Sequence, residues 1–197
     1  MIEESRYVEI VQEVEKKISE FLKCLNLKVK ILKTYEWESD TVGIYIYRSS
    51  AKGVLRIGVN FDVVREFEQD LEDDEWFSEY QIEEEIYDNI AVTLWHEAGH
   101  GIMEHIKRCR RHDTQNGTGI FRGKLLRDTR KLLSQDEEDV VEGFGEYMPG
   151  LGGNTELYDY IMAYKDYLQF GSHPTVQINE SDIRKIVENT IRKMANC

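Results

Sequence analysis

Apolar residues recur along this chain with two different periods, and the change of period divides it into elements. From Glu3 to Leu25 they fall at helical spacing (Tyr7, Ile10, Val11, Val14, Ile18, Phe21, Leu22), which predicts an amphipathic helix. Three short alternating segments follow, Leu27–Leu32, Val42–Tyr47 and Val54–Phe61, with turn residues at Ser39-Asp40 and Ala51-Lys52-Gly53. That succession predicts three strands in an antiparallel meander. Phe61–Leu71 reads as a short helix and Glu72–Glu75 as an acidic loop. Then Ile82, Ile86, Ile90, Leu94, Ala98 and Ile102 trace a stripe at four-residue intervals, predicting a long helix from Glu79 to about Ile106. Glutamates load its first turns and Lys107, Arg108, Arg110 and Arg111 follow its end, each the charge that the helix dipole favours there.

The polar stretch Arg108–Gly119 reads as a surface loop. Helices are expected over Phe121–Leu133, Asp136–Met148 and Leu157–Phe170, with a sharp break at Pro149-Gly150-Leu151-Gly152-Gly153. Asn179 or Ser181 is placed to cap a last helix running to about Ala195. A helix, a small sheet, a long helix and then more helices make an α+β protein. One domain over residues 1–197 is expected: 1–25 the N-terminal helix, 26–106 the sheet and long helix, 107–197 a helical part.

Inside the long helix stands His96-Glu97-Ala98-Gly99-His100, an H-E-x-x-H motif in a chain with five histidines. Residues four apart stack on one helix face, so both imidazoles can reach one cation. Catalytic zinc takes neutral imidazoles and leaves a position for water, and Glu97 is placed to take that water's proton. Glycine costs about 1 kcal/mol of helix propensity relative to alanine, so Gly99 implies close approach of another element. Two histidines leave such a site short of one protein ligand. The run Asp136-Glu137-Glu138-Asp139-Val140-Val141-Glu142-Gly143-Phe144-Gly145-Glu146-Tyr147-Met148 supplies candidates, with Glu138, Glu142 and Glu146 forming a ladder four apart. Like charges at that spacing repel, and the apolar residues between them imply a packed helix, so an intervening cation would relieve the strain.

The motif together with Glu142-Gly143-Phe144-Gly145-Glu146-Tyr147 resembles the gluzincins, zinc peptidases that include thermolysin and the membrane-alanyl-type aminopeptidases. In branches with E-G-[FL]-A-x-Y the first glutamate is the third zinc ligand. The resemblance thus implies Glu142 as ligand and Glu146 as an outer partner of a bound imidazole, with Gly145 where alanine is usual. A second register, E-x-x-A-[DN], is found in gluzincin-like regulatory and membrane peptidases. It implies that Glu138 ligates and Glu142 supports. The implied fold is zincin-like, a small antiparallel or mixed sheet against the active-site helix with a mainly helical C-terminal part. The implied activity is hydrolysis of peptide bonds by metal-activated water, with Zn²⁺ as cofactor and Glu97 as general base. By the same analogy Val54–Phe61, around Gly58-Val59-Asn60, would be the edge strand that pairs with substrate. Tyr158, Tyr160, Tyr164, Tyr167 and His173 are all available to steady an oxyanion, and none is singled out. The alternative is a catalytically silent zinc-binding regulatory or interaction protein, against which the intact Glu97 speaks.

Composition narrows the partners. A net charge of −13 disfavours nucleic acid. The exception is Lys107-Arg108-Cys109-Arg110-Arg111-His112, which either caps a helix or steers an acidic substrate to the adjacent site. Three scattered cysteines, Cys24, Cys109 and Cys197, suggest a reducing compartment. With no leader-like or membrane-length apolar run, a cytoplasmic protein acting on a peptide or protein, away from membranes, is expected. Oligomeric state is left open.

Overall fold

A computed structural model describes residues 2–34, 41–46, 53–74, 76–117 and 119–170. The turns at Ser39-Asp40 and Ala51-Lys52, the helix expected up to Ala195, His173 and the side chain of Tyr167 lie outside the described residues. The element order is α1 (Glu4–Leu22), β1 (Lys28–Thr34), β2 (Gly43–Tyr45), β3 (Val54–Asn60), α2 (Phe61–Asp73), α3 (Glu79–Asn116), α4 (Gly123–Leu132), α5 (Glu137–Tyr147) and α6 (Glu156–Phe170). The protein is mixed α and β, mostly helical, around one small sheet. No described helix is long and apolar enough to cross a membrane.

The sheet is not the expected meander. Its order is β1-β3-β2, with β1 and β3 parallel and β2 and β3 antiparallel. β1 pairs Lys28 with Val54 through to Thr34 with Asn60, and β2 pairs Gly43 with Val59 and Tyr45 with Ile57. The strand expected at the edge, β3, is therefore in the centre. Leu55, Ile57, Val59 and Asn60 are all buried there, while Arg56 is exposed. β1 carries Lys28, Lys30 and Lys33 and takes an edge, where charged side chains discourage further pairing. Alternation reports which residues face the core and is silent about which strand neighbours which.

α3 is the spine. Ser78 accepts a hydrogen bond from the Gln81 backbone, and the Ser78 backbone N–H donates one to the Gln81 side chain, closing a capping box. The helix runs 38 residues, ten beyond the expected end, so Arg108–Asn116 is helix and not loop. Its Lys and Arg residues are good helix formers, Arg108 pairs with Glu104 one turn back at 2.8 Å, and termination waits for Gly117 at φ 61°. Charge marked where the apolar stripe fades, but not where the helix stops.

α1, α2, the sheet and α5 all pack on α3. On one side Trp95 meets Phe144 of α5 edge to face, with centroids 5.8 Å apart, and Phe21 of α1 closes the cluster against both. Burial of a ring such as Phe144 contributes roughly 1.5–3 kcal/mol. α5 comes so near that a β-carbon on Gly145 would lie 3.0 Å from the Val92 carbonyl oxygen and 3.0 Å from His96 Cβ. One on Gly99 would lie 3.1 Å from Val141. The two glycines let the backbones approach, and that approach brings the acidic run to the histidines.

Candidate metal centre

His96 and His100 stand one turn apart on the half-buried face of α3, their Nε2 atoms 3.2 Å from each other. Asp136 caps α5 by accepting from the Glu138 backbone at 2.9 Å, fixing the first turn of that helix over the pair. Glu138 reaches both rings: one carboxylate oxygen is 3.6 Å from His96 Nε2 and the other 3.5 Å from His100 Nε2. The three donors lie within 4.8 Å of one another, the one such group among the described residues.

At 3.5–3.6 Å the carboxylate is too far to hydrogen-bond the imidazoles. Zinc bonds to nitrogen and oxygen of about 2.0–2.1 Å give a tetrahedron with edges of about 3.3–3.4 Å. The two imidazole nitrogens, 3.2 Å apart, stand near such an edge, and a different oxygen of Glu138 lies within 3.6 Å of each ring. The Glu138 side chain is 70 % exposed, so this carboxylate faces solvent.

The surroundings suit neutral, oriented ligands. Burial, then the neighbouring His100, hold the His96 imidazole below its ordinary pKa, which keeps it uncharged at neutral pH. His100 Nδ1 lies 3.0 Å from Glu137, and an ionised carboxylate can only accept, so Nδ1 carries the proton and Nε2 presents its lone pair. Burial would raise the Glu137 carboxyl, but hydrogen bonds from His100 and Lys107 outweigh it and hold the group below the usual carboxylate range. Glu97 sits between α3 and β2, where a β-carbon on Gly43 would meet its Cγ at 3.3 Å. Burial raises its carboxyl, partly offset by His100 and by a hydrogen bond from the Tyr45 backbone.

Of the three rungs of the acidic ladder, only Glu138 joins the group. Glu142 is exposed and acts on His96 through space, raising that imidazole's pKa slightly against burial. Glu146 is half-buried and makes no hydrogen bond to either imidazole among the described residues; Glu137 holds His100 instead. α5 presents its first turn to the histidines, and the later rungs climb past them. Glu137 and Lys107 were named only as members of the acidic run and the cationic cluster, not as the pair that meets His100. Lys107 was marked by its spacing, seven residues after His100 and so on the same face. Glu137 carried no mark beyond belonging to the acidic run.

Other candidates resolve into packing. Tyr160 bonds Thr129 at 2.8 Å, and burial pushes its hydroxyl up to about 12. Tyr164 is a buried ring stacked on Phe121, and Tyr158 stacks on Phe21. His105 is turned off the ligand face and finds the Cys109 Sγ at 3.4 Å, a pairing not foreseen for that thiol. Burial raises the Cys109 thiol, which keeps it protonated. Cys24, also free, is raised the same way. The chain matches no protein-family model, no curated protein and no solved structure at a significant level.

Proposed function

We propose that this protein is a zinc-dependent peptidase of gluzincin type, with His96, His100 and Glu138 holding the ion. The observation that carries this reading is the grouping of His96, His100 and Glu138, whose donor atoms lie within 4.8 Å of one another next to Glu97. Bound zinc supplies the Lewis acidity that polarises a scissile carbonyl and lets water ionise near pH 7. The chain's own groups do the rest.

Glu97, its basicity raised by burial and its position fixed from the Tyr45 backbone, takes the proton of the attacking water and delivers it to the leaving amine. Glu137 holds the His100 ring in the ligating tautomer. Glu142 adds negative potential at His96, in keeping with the register in which it supports and Glu138 ligates. Substrate lies in extended form along β2. That strand packs on α3 beside Glu97, and among the described residues β3 is its only strand partner.

Zinc content and peptide hydrolysis of wild type and Glu97→Gln test this together. Both proteins should bind one zinc, while hydrolysis falls about 10²- to 10⁴-fold in the variant. Equal zinc with no cleavage of any peptide by wild type, across a broad library, overturns the enzymatic reading and leaves a silent zinc protein.

A further inference from the structure

The face of α3 that carries the histidines does not end with them. At about 100° per residue, Lys107, Arg111 and Thr114 fall within roughly 40° of His100 around the helix. They line a groove of about 440 Å³ together with Arg110, Gln115 and Leu133 of the α4–α5 connection. No carboxylate lines it, in a chain of net charge −13.

The cations there are not equivalent. Lys107 is spent on Glu137, and Arg108, outside the groove, on Glu104. Arg110 and Arg111 form no ion pair among the described residues, and both line the groove, where no carboxylate does. Each presents paired donors whose geometry matches a carboxylate. Leu133 supplies an apolar wall for the side-chain stem behind it.

We infer that this groove is a specificity site for acidic residues of the peptide substrate, an assignment that rests on the peptidase reading. Its place along the helix sets the register. Arg110 and Arg111 lie about 15 and about 16 Å beyond His100 along the axis. An extended peptide advances about 3.3 Å per residue, so the acidic side chain falls roughly five residues from the scissile bond. A nucleic acid fits less well, because its affinity needs many phosphate contacts and the remaining surface of this molecule is acidic.

Fluorescence anisotropy with the zinc-loaded, full-length Glu97→Gln protein tests the assignment without cleavage. The probes are a labelled peptide of alternating Glu and Ala and its Gln-for-Glu counterpart. The Glu peptide should bind about tenfold tighter, as one or two charge-assisted hydrogen bonds provide. Arg110→Ser with Arg111→Ser should erase that preference while zinc content and helical circular dichroism stay unchanged, and the paired Lys variant should restore part of it. Equal binding of the two peptides, a preference that survives the Ser pair, or tighter binding of a DNA duplex than of the Glu peptide would each overturn the proposal. Wild type that prefers the Glu peptide yet cleaves nothing sinks the peptidase reading alone. Wild type that cleaves without acidic preference sinks this one alone.

Discussion

Glu138 and Glu142 have the same chemistry, are both exposed and stand one turn apart on α5, yet only the former groups with the two imidazoles within 4.8 Å. Alanine at each position therefore gives a clean contrast. Glu138→Ala should lose zinc in equilibrium dialysis by well beyond the roughly 10- to 100-fold typical of changes outside the ligand shell. Glu142→Ala, removing only a through-space influence on His96, should stay within that range. The reverse ranking would return the ligand role to Glu142. His96 and His100 were legible from the motif alone because a helix fixes the relation between residues four apart. The acidic partner stayed open between Glu142 and Glu138, because which turn of α5 meets the histidines depends on how two helices cross.

At the scale of elements, the α3–α5 contact decides whether there is a site at all. Gly145→Ala places a methyl 3.0 Å from the Val92 carbonyl oxygen and from His96 Cβ, where backbone on both sides leaves little room to yield. It should cost about 1–3 kcal/mol and weaken zinc binding together, by lifting α5 from the histidines. A melting temperature and zinc affinity equal to wild type would show that the helices have slack there. The helices themselves were readable within a few residues from their apolar spacing. The exception is α3, whose polar C-terminal third looks like loop because nothing in periodicity distinguishes a solvated helix from a solvated coil. The strands were found but their order was not, since pairing joins residues distant in the chain.

The whole molecule leaves a mark on pH dependence through His105, which lies where α3 meets the sheet, near Tyr45 and Leu55 and beside Glu104, Arg108 and Cys109. Burial, then the Arg108 charge, hold its imidazole below the ordinary value of about 6.5. As pH falls past that value the unfolded chain takes up a proton that the folded one resists, so stability declines toward the folded pKa. Above it the group contributes nothing. With chelator present to remove metal effects, wild type should lose melting temperature between about pH 7.5 and about pH 5, and His105→Gln should lose less. Identical slopes would mean that folding leaves the proton affinity of this ring unchanged. Taken alone, the chain specified its helical stripes, its acidic balance and the paired imidazoles with their glutamate, because these depend on neighbours within one or two turns. Tertiary structure decided that β3 lies in the centre of the sheet, that Glu138 and Glu137 reach the histidines, and that the cationic turns after them continue the same face. Each of those depends on the distance between backbones, which close packing at glycines sets and local sequence does not encode.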